Sequence, residues 1–206
     1  MATYTVAITG ASGAPYAHRL LQVLIKGGHS IYLTISGDGL SILNDEVDLL
    51  LKGSDTDIQH ALERHFNAKG GQIAYFNEDY MYAPIASGSV MVDAMVVIPC
   101  SMKTLASIAN GYASNLAERA ADVMLKEKRK LIIVPRETPL SAIHLRNMLA
   151  LTELGCHMLP AMPAFYHHPK RVSDMVDFIV GRVLDSMGIE NNLSARWGGK
   201  TGKRRM

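Results

Sequence analysis

Only two cysteines, Cys100 and Cys156, occur in the 206 residues. They lie far apart, and no CxxC or Cys/His spacing appears, which excludes a zinc knot or a disulfide framework and leaves reduced core thiols. Net charge is scarce too: 21 Lys and Arg against 19 Asp and Glu give +2, with much of the excess in the tail from Lys200 to Arg205. A near-neutral body lacks the basic face of a nucleic-acid-binding domain. No apolar run reaches the roughly 18 residues of a membrane span. The stretch from Met1 to Ile8 has no basic start of the signal-peptide kind. These absences predict a cytoplasmic protein with neither membrane nor nucleic-acid partner, and with no metal.

What is present is an ordinary globular balance, 48% hydrophobic and 19% charged, long enough for one full core. One domain is expected over residues 1–197, followed by a basic, mobile tail over 198–206. Strands are predicted at 5–9, 30–36, 72–76, 94–99, 131–134 and 156–160. Helices are predicted at 15–25, 40–51, 57–66, from about 103, and at 116–127, 141–154 and 172–187. The strands are continuous apolar runs that alternate with helices, the pattern of a parallel sheet covered on both faces. The expected fold is therefore α/β, a single Rossmann-like doubly wound sheet.

In such sheets ligands bind beyond the C-terminal ends of the strands, and four segments there carry candidate chemistry. Thr9-Gly10-Ala11-Ser12-Gly13-Ala14 is a small-residue turn that lets backbone amides approach an anion; it reads equally as a tight strand-to-helix turn. An NAD-type ribose carboxylate is missing after the second strand, where Ser36 offers a hydroxyl. Pro99-Cys100-Ser101-Met102-Lys103-Thr104 enters another helix, and its two hydroxyls suit either a helix cap or a phosphate. Pro135-Arg136-Glu137-Thr138-Pro139 sets two opposite charges between prolines just past a buried strand, as a surface ion pair or as presented ligands. Phe165-Tyr166-His167-His168 with Arg182 supplies a phenol and a guanidinium, good phosphate partners. Adjacent histidines do not readily share one metal. Arg119 and Lys126, seven apart, share a helix face. Ala195-Arg196-Trp197 carries the sole tryptophan, which either packs the C-terminus or lines a pocket.

Taken with Ala86-Ser87-Gly88-Ser89, Arg119-Ala120-Ala121-Asp122-Val123 and Leu125-Lys126-Glu127, these stretches make the chain resemble the UbiX/Pad family of flavin prenyltransferases. The match runs in family order from residue 9 to residue 197. The resemblance implies transfer of a dimethylallyl group from dimethylallyl monophosphate to N5 and C6 of reduced FMN. FMN is then a substrate, and prenylated FMN passes to a UbiD-type decarboxylase. It implies a homo-oligomer, a dodecamer, with active sites at subunit interfaces. Carried over by motif, Gly10, Ala11, Ser12, Ser36, Ser101, Met102, Lys103, Thr104 and Arg136 hold FMN. Lys126, Arg136, Tyr166 and Arg182 grip the prenyl phosphate, with Arg119 at a subunit boundary, and residues 86–89 with Trp197 wall the pocket. Glu137 moves protons at the flavin, and Ser12 with Glu46 forms a second polar pair; Lys126 assists at the phosphate. All these groups are expected to converge on one sheet rim.

Three alternatives share parts of this pattern. A flavin-dependent cysteine decarboxylase would need a histidine after the first helix region and has no use for Arg136, Glu137 and Lys126. An NAD-dependent reductase lacks its ribose carboxylate and a Tyr-x-x-x-Lys pair. A non-catalytic flavin carrier would bind FMN without transferring a prenyl group.

Overall fold

A computed structural model describes residues 1–197 of the chain; the expected basic tail, 198–206, lies outside the described residues. Six strands form one parallel sheet in the order β3-β2-β1-β4-β5-β6. They are β1 (Thr3–Ile8), β2 (Ser30–Ile35), β3 (Ile73–Asn77), β4 (Ala94–Cys100), β5 (Leu131–Pro135) and β6 (His157–Met158). The helices are α1 (Ala14–Lys26), α2 (Gly37–Val47), α3 (Asp55–Phe66), α4 (Met102–Ala109), α5 (Leu116–Lys126), α6 (Ala142–Glu153) and α7 (Val172–Met187). The order reverses between β1 and β4, the switch point at which open α/β sheets bind ligands.

Alternation along each strand divides the core in two. Val6, Ile8, Val96, Ile98, Ile132 and Val134 face α1 and α7. Ala7, Met95, Val97, Leu131 and Ile133 face α4, α5 and α6. Thus α5 and α7 lie on opposite faces of the sheet. Both cysteines are free and buried, and burial pushes the Cys156 thiol up to about 11.

Side-chain caps set the helix starts. Ser36, Ser54, Ser101, Asn115 and Ser141 each accept a backbone N–H from the first turn, satisfying donors that a helix leaves unpaired. Three elements differ from the sequence expectation. The helix expected over 40–51 begins at Gly37 and stops at Val47, because Asp48 turns left-handed (φ 52°). Leu49 and Leu51 then reach the core from an irregular segment, which Asn44 fixes by accepting the Leu51 amide at 2.8 Å. The expected strand over 156–160 is only two residues long. A single 3-10 turn at Pro84–Ala86 has no counterpart in the sequence reading.

Close packing at the rim depends on Gly39. A β-carbon there would lie 2.8 Å from the Ile8 carbonyl oxygen, at the end of β1. Gly39→Ala should therefore cost about 1–3 kcal/mol of stability by overpacking, measured by urea denaturation; an unchanged midpoint would contradict this packing.

Candidate active site

The strand ends are knitted into a continuous rim. The Ser36 amide donates to the Ile8 carbonyl at 3.0 Å, Thr9 N–H to Pro99 O at 3.3 Å, and Arg136 N–H to Cys100 O at 3.4 Å. The Thr9 hydroxyl donates to Pro99 O at 2.9 Å and accepts the Ser101 amide at 2.8 Å. The turns after β1, β2, β4 and β5 therefore occupy one edge, as their candidate residues required.

Three distant segments meet at the start of α1. The Arg136 Nε donates to the Ser12 carbonyl at 2.8 Å. From α2, the Glu46 Oε2 accepts the amides of Gly13 and Ala14, both at 2.8 Å. Burial pushes the Glu46 carboxyl up, but the Ser12 hydroxyl, those two amides and the Arg136 charge outweigh it and hold it below 4.5. The amides at the head of α1 thus already hold an anion of the chain's own. Gly37 N–H, at the head of α2, is likewise taken by Glu78 at 2.6 Å. Among the described residues no carboxylate takes the first amides of α4, where Ser101 donates to the Thr104 hydroxyl at 3.1 Å and caps Thr104 N–H at 3.2 Å. Of the helix starts expected to receive a phosphate, that of α4, with Ser101, Met102, Lys103 and Thr104, is the one left available to an outside anion.

Arg136 and Glu137 do not engage each other. The Glu137 Oε1 accepts its neighbour's amide, Thr138 N–H, at 2.9 Å. Both side chains line a small cavity of about 40 Å³ with Leu140, Met148, Pro160 and Met162. The Ile98–Pro99 and Thr138–Pro139 peptide bonds flanking this edge are cis. Tyr16, which the sequence reading passed over, stands against Gly13; burial raises its phenol, with the Arg136 charge opposing. Its signal was a phenol on the first turn of the helix that follows the glycine turn. Asp38 packs against Gly10, so the turn is closed tightly around side chains at both of its glycines.

The remaining candidates form two groups away from this point. Tyr166, Phe178, Arg182, Arg196 and Trp197 line a cavity of about 280 Å³ along α7. Tyr166 meets Trp197 edge-on at 5.1 Å and Phe178 at 5.9 Å. Asp185 gathers both arginines, Arg182 at 3.2 Å and Arg196 at 2.9 Å. Gly181 lets the C-terminal segment approach α7: a β-carbon there would lie 3.1 Å from Asn191 Oδ1.

The second group lies along α5. Arg119 donates from Nε to Ala86 O at 3.1 Å and pairs with Asp122 at 2.8 Å. Lys126 pairs with Glu127, and a β-carbon on Gly88 would run into both. Arg129 donates to the carbonyls of Gly88 and Val90 at 2.6 and 2.7 Å. α5 starts at the rim, where Leu116 N–H donates to Glu78 O, and Lys126 ends it at the opposite edge, about 16 Å away for 11 residues. Lys126 and residues 87–89, grouped by the resemblance, lie next to each other in the fold. The expected convergence of Lys126 with Tyr166 and Arg182 on one rim does not occur within one chain, because α5 and α7 are separated by the sheet.

His29, the histidine after the first helix, sits at the N-terminal edge of β2 beside Tyr4, 5.2 Å between rings. It is on the wrong side of the sheet to serve chemistry at the rim. Among the described residues no group of three or more His, Cys, Asp or Glu side chains could hold a metal ion, and no helix is long and apolar enough to cross a membrane.

Comparison with known proteins shows the family and the fold. The family model described as Flavoprotein matches residues 2–184. Flavin prenyltransferase UbiX of Halalkalibacterium halodurans is 50% identical over 195 residues, 95% of this chain and 93% of that protein. The crystal structure of AnUbiX (PadA1) in complex with FMN and dimethylallyl pyrophosphate superposes with a TM-score of 0.84 at 38% identity, covering 96% of this chain and 98% of that one. A dodecameric FMN-dependent UbiX-like decarboxylase from Escherichia coli O157:H7 gives 0.82 at 45% identity, covering 96% and 100%.

The depressed Glu46 carboxyl makes a pH prediction. A folded-state value below the ordinary 4.5 means stability present above pH 4.5 and lost as pH falls through the folded value. Glu46→Gln should be less stable than the parent at about pH 7, with the gap closing in more acid solution. Denaturant midpoints across that range check this; a gap that persists at low pH would mean the carboxylate charge is not what matters.

Proposed function

The chain belongs to the flavoprotein family, and we propose that it is a flavin prenyltransferase that joins the dimethylallyl group of dimethylallyl monophosphate to N5 and C6 of reduced FMN. The observation that carries this reading is the meeting of residues 12–14, Glu46 and Arg136 at one point of the rim, in a chain half identical to a UbiX enzyme along nearly its whole length. The residues fit a flavin mononucleotide. The head of α4 offers amides and hydroxyls to its phosphate, Gly10, Ala11 and Ser12 give a low wall for the ring, and Ser36 and Arg136 flank it. Reduced FMN, when bound, supplies the electron-rich acceptor.

The remaining chemistry belongs to the side chains. Loss of phosphate from an allylic carbon leaves positive charge on the prenyl group and added negative charge on the phosphate. Lys126, Arg182, Tyr166 and Arg119 stabilise that phosphate as its charge grows, with Arg136 between it and the flavin. Residues 86–89 and Trp197 keep water from the prenyl group. Glu137, which among the described residues accepts only its neighbour's amide, takes a proton released at the flavin. Ser12 with the ionised Glu46 forms a second proton path.

Because Lys126 and Arg182 lie on opposite faces of one sheet, one phosphate meets both only if a second copy brings its α5 face to the first copy's α7 face. Joining two different faces is a heterologous contact, which closes into a ring when its rotation allows, and we read the protein as a homo-oligomer, a dodecamer. Ile143, Leu145 and Leu149 on α6 are more than half exposed, apolar surface of the kind that subunits cover. We place the enzyme in the cytoplasm, as one domain over residues 1–197, handing its product to a UbiD-type decarboxylase.

The test is anaerobic incubation with reduced FMN and dimethylallyl monophosphate, followed by mass spectrometry of the flavin. A gain of C5H8 is expected; FMN bound but unchanged in mass would make the protein a carrier. In the same assay Glu137→Gln should keep FMN binding and lose turnover about 100-fold or more, and an unchanged rate would remove Glu137 from proton transfer.

A further inference from the structure

His167 has no part in the chemistry above, yet its surroundings are unusual. Both ring nitrogens are buried, and among the described residues neither has a hydrogen-bond partner. Unpaired buried polar atoms carry a cost, so hydrogen bonding is not what holds this ring. Its hold is a stack: the imidazole lies parallel to the Phe178 ring, 5° between planes and 5.3 Å between centroids. Phe178 is nine-tenths buried and precedes Arg182 by one turn on the same face of α7. The loop that carries Tyr166 closes on itself just here, with His168 N–H donating to Phe165 O at 2.9 Å and His168 left-handed at φ 55°. Tyr166 itself is 40% exposed and touches the same Phe178 ring by its edge.

We propose that His167 is a positioning residue for Tyr166: by stacking on Phe178 it pins the loop after β6 to α7 and keeps the Tyr166 phenol beside Arg182. The proposal rests on the reading of Tyr166 as a contact of the donor phosphate. A half-exposed phenol on an irregular loop would otherwise sample many positions, and ordering it anew at each binding event weakens binding. The ring of residue 167 does this work with its face, so a phenyl ring should replace it and an alanine should not.

His167→Ala and His167→Phe, compared with the parent oligomer, test the clamp in two ways. In prenyl transfer His167→Ala should raise KM for dimethylallyl monophosphate about tenfold, the worth of one aromatic stack, with kcat and FMN affinity close to the parent. His167→Phe should restore the parental KM. Independently of activity, Trp197, the one tryptophan of the chain, reports on the ring it packs against: its fluorescence anisotropy should fall in His167→Ala and hold in His167→Phe. Parental KM or parental anisotropy in His167→Ala would overturn the clamp. So would His167→Phe behaving like His167→Ala, since the nitrogens and not the stack would then be in use. If the parent transfers no prenyl group, the functional reading fails while the anisotropy comparison still judges the clamp.

Discussion

The tie between Arg136 and the Ser12 carbonyl, with Glu46 seated on the neighbouring amides, is the interaction on which the site depends. It joins the end of β5, the head of α1 and the last turn of α2, three segments that the chain brings together only through the parallel sheet. Parallel strands put every C-terminal end on one edge, and the reversal between β1 and β4 leaves that edge open for a ligand. Arg136 reaches Ser12 across this opening. The carboxylate on the Gly13 and Ala14 amides does two things at once: it satisfies donors that a helix start leaves unpaired, and it stays ionised beside the guanidinium. The amides at the head of α1 are thereby occupied, while among the described residues no carboxylate takes those at the head of α4.

A second constraint follows from the layers. Helices α4, α5 and α6 cover one face and α1 and α7 the other, so cations on α5 and α7 cannot reach a common ligand inside one chain. What looks at first like a defect of the monomer makes sense as a division of labour between copies. In the proposed assembly the groups assigned to the flavin lie within one chain, whereas the two cationic groups assigned to the donor phosphate each supply half of a site. Like charges brought together at such a contact repel, and the phosphate between them relieves that repulsion.

Much of this was legible in the sequence. Continuous runs such as Leu131-Ile132-Ile133-Val134 announced buried parallel strands, and Ser101 and Thr104 bracketed a helix start. The glycine turn, the Ser101 turn and the Arg136-Glu137 pair all fell on the rim, as expected for turns that follow strands. What escaped had physical reasons. Leu49 and Leu51 continue the apolar spacing of α2, so only the left-handed Asp48 reveals that the helix has stopped. The resemblance, rather than any local pattern, paired Glu46 with Ser12 more than thirty residues away; that Glu46 also takes the Gly13 and Ala14 amides is seen only in the folded chain. Nor does a motif carried over from a family say on which face of the sheet its helix lands, and Lys126 and Arg182, grouped by the resemblance, lie on opposite faces.

In the proposed assembly the donor phosphate is held by the α5 face of one copy and the α7 face of another. Subunit complementation tests it most directly. Lys126→Ala and Arg182→Ala, each nearly inactive alone, are mixed by co-expression and assayed for prenyl transfer. With random mixing, about one site in four pairs an intact α5 face with an intact α7 face, and activity should return toward a quarter of the parental value. If mixed oligomers form and stay as inactive as either variant alone, the donor site is not shared in this way.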